Sequence, residues 1–347
     1  MNVRGLLDIL KAEDEFEGFI RAADEARARG VGDCVHLRGL IEFSNYCRKD
    51  CLYCGLRRSN AALPRYRMAP EEIVEAALEG ARMGLGTVVL QSGEDVWYTA
   101  GIIEKIVGSI KEQSGLAVTL SVGDRIKREY ALWRRAGADR YLLKHETSDE
   151  ALHWTMRPGC GLGDRLRNLE WLMDLGYEVG SGIIVGLPGQ GIESIARDVS
   201  FMRDLGVHMA SAGPFIPHAQ TPLKGCEPGS VDLTLRVIAA MRLELPWANI
   251  PATSALGTLD PLAQLTALGC GANVLMPDIT PGPYRKMYEI YPGKVGSLET
   301  PAQSFARCRK IVESAGLAVG TGQGGCARLP GRAGRSMAND WIDRKDA

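Results

Sequence analysis

Residues 35–55 read VHLRGLIEFSNYCRKDCLYCG, an apolar run that passes into a loop carrying Cys47, Cys51 and Cys54. A short apolar run of this kind has the pattern of a buried strand. The loop after it spaces three thiols as C-x3-C-x2-C, where an open dinucleotide-binding sheet would carry G-x-G-x-x-G. That substitution turns the reading away from an open doubly wound sheet and toward a closed barrel, whose chemistry gathers on the loops after strand ends.

The same unit repeats outward from that loop. Strand candidates 87–91, 117–121, 140–145, 178–185, 209–215, 249–253 and 273–276 follow the first at 35–43. Helix candidates near 69–84, 101–114, 126–137, 164–176, 191–205, 231–245 and 260–269 lie between them, several ending at Gly84, Gly137, Gly176 or Gly206. Glycine just past a last turn takes the left-handed conformation that caps a helix. Eight strands alternating with helices predict a parallel sheet closed into an α/β (β/α)8 TIM barrel. Residues 1–33 are expected as an N-terminal helical extension packed outside it, and 34–317 as the barrel with a helix near 301–315. Residues 318–347, rich in Gly, Arg and Ala, are expected as a C-terminal tail of loop character.

Composition narrows the function classes. The 347 residues are 45% apolar and 24% charged, with a net charge of −1. Such a balance offers no basic stripe for nucleic acid; pairs such as Arg57-Arg58 and Arg134-Arg135 sit among acids as solvated faces. No apolar segment is long enough for a transmembrane helix, and the acidic N-terminal stretch does not read as a signal peptide. The expectation is a cytoplasmic protein whose nine cysteines are thiols, ligands or catalysts rather than disulfides.

Thiolates are soft ligands suited to iron–sulfur clusters or zinc. A closed zinc site takes four ligands, often from paired C-x2-C units, and no second pair accompanies residues 47–54. Three thiols on a [4Fe–4S] cluster leave one iron open to a small molecule. The spacing resembles the signature of the radical S-adenosylmethionine superfamily. That resemblance implies one [4Fe–4S] cluster on Cys47, Cys51 and Cys54 and S-adenosylmethionine chelated at the open iron, cleaved reductively to a 5′-deoxyadenosyl radical. The remaining cofactor residues implied are Tyr53 near adenine, Gln91-Ser92-Gly93-Glu94 as the superfamily G-G-E segment, Ser121, Glu146, Arg165 and Gly186. Ser92 stands in place of a glycine there, so its backbone must take an angle open to serine.

A narrower resemblance rests on longer blocks: IEFSNYCRKDCLYCGLRRSN (41–60), RYRMAPEEIVE (65–75), VVLQSGED (88–95), GADRYLLKHET (137–147), GPFIPHAQTPL (213–223), IPATSALG (250–257), GANVLMPDITPGPYR (271–285) and YPGK (291–294). Together they resemble the HydE family of [FeFe]-hydrogenase maturation. The implied substrate is a cysteine-bound Fe(CO)2(CN) synthon, delivered by HydG and passed on toward HydF. Polar residues on strands are costly unless paired, so Arg38, Thr119, Lys144, Thr253 and Ser254 suggest a cation-lined interior for an anionic guest. Lys144 stands where the family leads one to expect arginine. Met276, Tyr291 and His145 are further candidates for the substrate space. Where some HydE proteins carry cysteines for a second cluster, this chain has Gly296, Ser304 and Arg307, so no second cluster is expected. Cys34, Cys160, Cys226, Cys270, Cys308 and Cys326 are then ordinary thiols. Alternatives are another biotin synthase-like radical enzyme, such as methylornithine synthase, and a non-catalytic iron–sulfur carrier, which would need the cysteines without the residues around Glu94, Glu146 and Arg165.

Overall fold

Every stave of the structure turns alternate residues inward, and the staves close on themselves. This computed structural model describes residues 3–12 and 16–327. Strand β1 (Cys34–Leu37) and β2 (Gly39–Ser44) form the first stave, interrupted at Arg38. From β2 a parallel sheet runs in chain order through β3 (Thr87–Ser92), β4 (Ala117–Ser121), β5 (Arg140–Leu142), β6 (Glu178–Val185) and β7 (Met209–Pro214). β8 (Val274–Leu275) returns to pair in parallel with β1.

The expected seventh strand at 249–253 forms no regular strand. Parallel bridges Met209↔Asn249 and Pro251↔Val274 still tie it to both neighbours. Pro251 has no N–H to give the ladder, which is why pairing there is reduced to single bridges. The Ala210, Ala252 and Asn273 amides nonetheless donate across the two seams, and the barrel closes. β5 also stops at Leu142, short of the expected His145. Beyond it the Leu143 amide reaches Gly180 O and the Glu146 amide reaches Gly182 O. Three residue steps thus face two, a β-bulge that bends the strand end.

Helices cover the barrel where their apolar periodicity predicts, among them Pro70–Arg82, Ala100–Gln113, Leu162–Asp174, Ile192–Leu205 and Val231–Glu244. Gly84, Gly137, Gly176 and Gly206 all have positive φ at helix ends. The N-terminal helices Val3–Lys11 and Phe16–Val31 pack on the outer layer, burying Leu6, Ile9 and Leu10. After helix Pro301–Ser314 the chain does not go straight into loop: β9 (Ala318–Val319) pairs in parallel with β1. Gln323 O then accepts from Thr87 Oγ1 and Arg140 Nη2, and Gly324 O from Arg38 Nη2 and Asn249 Nδ2. The first part of the expected tail therefore closes the lower end of the barrel, while 328–347 lie outside the described residues. No helix among the described residues is long and apolar enough to cross a membrane.

Candidate active site

The cysteine loop leaves β2 at Ser44 and is fastened by side chains from two other segments, one around Arg65 and Arg67 and one at Asp95. Ser44 Oγ donates to Asp95 Oδ2 at 2.7 Å, and Arg67 grips the same carboxylate at 2.7 and 3.0 Å. Such a two-pronged pair fixes orientation as well as charge. Arg65 donates to the carbonyls of Asn45, Leu56, Arg57 and Asn60, bracing both sides of the loop with one guanidinium. A Cβ on Gly93 would run into Tyr46 O and Cys47 Cβ, so only glycine lets the strand end approach the loop this closely. The Lys49 and Glu94 amides both point at Cys47 Sγ at 3.4 Å. Burial pushes the thiols of Cys47, Cys51 and Cys54 up from their ordinary range.

All three cysteines open onto one interior cavity of about 360 Å3, large enough for a small-molecule ligand. Among the described residues no three His, Cys, Asp or Glu side chains converge on a point fit for a single ion. Tyr53, Gln91, Ser92, Gly93, Glu94, Ser121, Glu146 and Arg165 line the same cavity. Gly186 does not: it makes the turn after β6, with φ of 85° and its N–H on Gln190 Oε1, and Ile184 lines the wall in its place. Ser92 has an ordinary backbone, since among the described non-glycine residues only Glu146 has positive φ, at 69°.

The cavity's upper end is a set of interleaved charges. Glu94 is met by Arg48 Nε at 3.1 Å, Lys49 Nζ at 3.6 Å and Arg157 Nη2 at 4.0 Å. A Cβ on Gly123, whose φ is 76°, would overlap the Glu94 side chain. Arg165 Nη1 lies 3.0 Å from Asp124 Oδ1. Burial opposes ionisation of Asp124, yet Arg165 and Arg157 hold its carboxyl below the usual range. Glu146 Oε2, Arg157 Nε and Arg165 Nε are buried without a hydrogen-bond partner. Buried polar atoms normally have one, so three orphans around one void fit a polar ligand there. Asp124, Arg157 and Arg65 were not singled out from the sequence; Arg157 has only the preceding turn of helix Glu150–Met156, itself unforeseen, to signal it.

Deeper in the barrel the lining follows the period of two along each stave: Arg38, Leu40 and Glu42; Thr119 and Ser121; Leu142 and Lys144; Thr253; Val274 and Met276. Thr119 Oγ1, Thr253 Oγ1 and Arg38 Nε lack partners. Ser254 Oγ meets Tyr291 OH at 2.6 Å on the cavity wall. Lys144 makes no ion pair among the described residues, and neither does Arg38, whose Nη1 rests on Met209 Sδ at 2.9 Å. Burial and the Arg140 charge push Arg38 down to about 9, so it remains a cation at neutral pH. His145 is a correction: with Lys144 turned inward it points out, Nδ1 to Ser181 Oγ at 2.9 Å and ring against Phe201. Burial lowers it to about 3, so it is neutral. Glu42 and Lys294, missed from sequence, add a buried carboxyl–ammonium contact to the wall at 2.5 Å.

Comparison with known proteins places this geometry. Residues 41–202 match the model of the radical SAM superfamily. The chain is 48% identical over 313 residues to the [FeFe] hydrogenase maturase subunit HydE of Thermotoga maritima, covering 90% of each. It is 31% identical to the 3-methylornithine synthase of Methanosarcina acetivorans over 79% of this chain and 77% of that one. The solved structure of methylornithine synthase (PylB) superposes with a TM-score of 0.82 at 27% identity, over 92% of this chain and 94% of that one. A superfamily built on a [4Fe–4S] cluster and S-adenosylmethionine accounts for three thiols beside a cavity of unpaired polar groups, and within that superfamily this chain belongs to the HydE family.

Proposed function

We propose that this chain acts in [FeFe]-hydrogenase maturation on a cysteine-bound Fe(CO)2(CN) synthon, on the way to the diiron subcluster. The observation that carries the reading is one cavity with two ends: three thiols and orphaned carboxylate and guanidinium atoms at the mouth, and below them Arg38 and Lys144, cations with no ion pair among the described residues. In this reading Cys47, Cys51 and Cys54 hold a single [4Fe–4S] cluster. Glu94 receives the methionyl ammonium of S-adenosylmethionine and Arg165 its carboxylate. Ser121 and Glu146 face the ribose and sulfonium end, while Tyr53 and Ile184 flank adenine. When bound, the reduced cluster supplies the electron that breaks a C–S bond of S-adenosylmethionine to give the 5′-deoxyadenosyl radical.

The chain's own residues do the rest. The barrel wall shuts water out of the space in which a radical must survive. Arg38 and Lys144 draw an anionic guest to the lower half, and the free hydroxyls of Thr119 and Thr253 donate to its acceptor atoms. HydG would deliver that guest and HydF accept the product. A second cluster is not part of the reading: Gly296 and Arg307 offer no thiol, Ser304 Oγ accepts from the Asp278 amide, and Cys308 is buried in its helix.

The experiment is anaerobic turnover with dithionite and S-adenosylmethionine, with and without the synthon, after iron has been counted at about four per chain. Cleavage stimulated by the synthon is expected. No cleavage under any condition sinks the reading. The likeness to methylornithine synthase supports a second one, in which lysine rather than the synthon stimulates cleavage.

A further inference from the structure

We propose that Arg157 sets the electron affinity of the cluster, acting as a fixed buried cation beside the cysteine loop. This rests on Cys47, Cys51 and Cys54 holding the cluster, but the residue belongs to no motif that led to that assignment. Arg157 follows helix Glu150–Met156 and is 4% exposed, yet it lines the cavity. The residue before it is hydrogen-bonded into the cysteine loop, Leu52 N to Met156 O at 2.9 Å, so backbone and loop move together. Among the described residues its one ion-pair contact is Glu94 Oε1 at 4.0 Å, and its Nε meets no acceptor.

A guanidinium is not given up to a neutral form in a protein, and a buried one without close carboxylate contact is costly. Something anionic must offset it. Burial opposes its charge, and Tyr53, Cys51 and Glu146, which line the same cavity, are its main electrostatic neighbours. A cluster on three thiolates is anionic, and one electron from a low-potential donor makes it one unit more negative. A fixed positive charge at close range in a water-poor wall therefore favours the reduced over the oxidised form. Arg157 is in this sense a positioning residue: it acts through the cluster.

The test is a redox titration of the anaerobically reconstituted full chain, followed by electron paramagnetic resonance without S-adenosylmethionine, using dithionite and mediators. At the potential where half of the wild-type cluster is reduced, Arg157→Gln should show a reduced-to-oxidised ratio lower by about tenfold or more, the effect of one close charge at an effective dielectric of ~20. Arg157→Lys should titrate near wild type. If Arg157→Gln titrates with wild type, or if it only weakens S-adenosylmethionine binding, the proposal is overturned. If Arg157→Gln takes up no iron, whether or not Arg157→Lys does, the residue is needed to hold the cluster rather than to tune it, and the proposal falls. Failure of the wild type itself to bind iron would instead sink the cluster assignment.

Discussion

Replacing Lys294 with methionine removes an ammonium from a buried trio while keeping most of the side chain's length. Lys294 Nζ lies 2.5 Å from Glu42 Oε2 and 2.9 Å from Asp278 Oδ2, and none of the three side chains is more than 6% exposed. Burial opposes charge on each. It prevails at Glu42, which is pushed up to about 8 despite Lys294. It does not prevail at Asp278, which Lys294 and Arg285 hold below the usual range, or at Lys294, which the two carboxyls raise. The ammonium thus lies between Asp278, held as a carboxylate, and Glu42, which burial biases toward its neutral form. Removing one partner of a buried pair costs about 3–5 kcal/mol. Here Arg285 Nε stays 3.5 Å from Asp278 and burial biases Glu42 toward its neutral form, so Lys294→Met should cost about 3 kcal/mol, the lower end of that range. Below about pH 4.5, where the carboxyl is protonated in both states, Glu42→Gln, equal in shape and neutral, should cost less than about 1 kcal/mol, and above that pH it should gain on wild type. Urea unfolding of the full chain measures both. The sign with pH follows from linkage: the folded pKa of about 8 exceeds the unfolded 4.5, so the stability Glu42 contributes is present below 4.5 and lost as pH rises toward 8. Wild type should therefore lose stability relative to Glu42→Gln over that window, by at most roughly 1.4 kcal/mol per pH unit. A Glu42→Gln variant as unstable as Lys294→Met at neutral pH, with no divergence between about pH 5 and pH 8, would show that Glu42 is ionised and refute the assignment.

Cys51→Ala should abolish the cluster's electron paramagnetic resonance signal, since two thiolates hold the cluster poorly; an unchanged signal removes Cys51 from the ligand set. Arg165→Gln should leave iron content intact and weaken S-adenosylmethionine binding by at least about tenfold, the loss of one charge-assisted contact of about 1.5–3 kcal/mol; calorimetry showing wild-type affinity would reassign the residue. Glu146→Gly should stabilise the cofactor-free chain by about 1 kcal/mol, because it relieves a left-handed non-glycine residue and a buried orphan oxygen. It should weaken cofactor binding at the same time, and a destabilised Glu146→Gly chain in a thermal melt would contradict the strain argument.

The staves were legible because short apolar runs alternate with helical stretches. Arg38, Thr119, Lys144 and Thr253 were reached as charged or hydroxyl residues on strands, costly in an interior unless paired, and all four line the cavity. The 249–253 stave was placed correctly but its regularity was overestimated, because Pro251 removes a ladder donor that composition alone does not penalise. The buried ions were not legible. Lys294 and Glu42 are 252 residues apart, and a lysine after Pro-Gly reads as a solvated turn until the fold brings a carboxyl to it. Arg65 and Arg157 likewise look like loop cations, although one braces four carbonyls and the other faces the cavity.

The end of β5 shows why such residues escape a pattern reading. Up to Leu142 the strand keeps register with β6, and alternation says which side chain faces in. Past it one extra residue is inserted, and the chain regains the ladder only where the Glu146 amide reaches Gly182 O at 2.9 Å. The insertion forces Glu146 to positive φ, a conformation worth about 1–3 kcal/mol of strain that persists only where the surroundings over-determine it. Bridge pairing to Ile183 on one side and the helix beginning at Glu150 on the other provide that constraint. The same helix ends at Arg157. One bulge therefore turns the Glu146 carboxyl toward the cavity and starts the segment that brings a cation back to the cysteine loop. Local sequence preference is overridden at this point, and the two consequences, Glu146 and Arg157, lie eleven residues apart on the lining of one cavity.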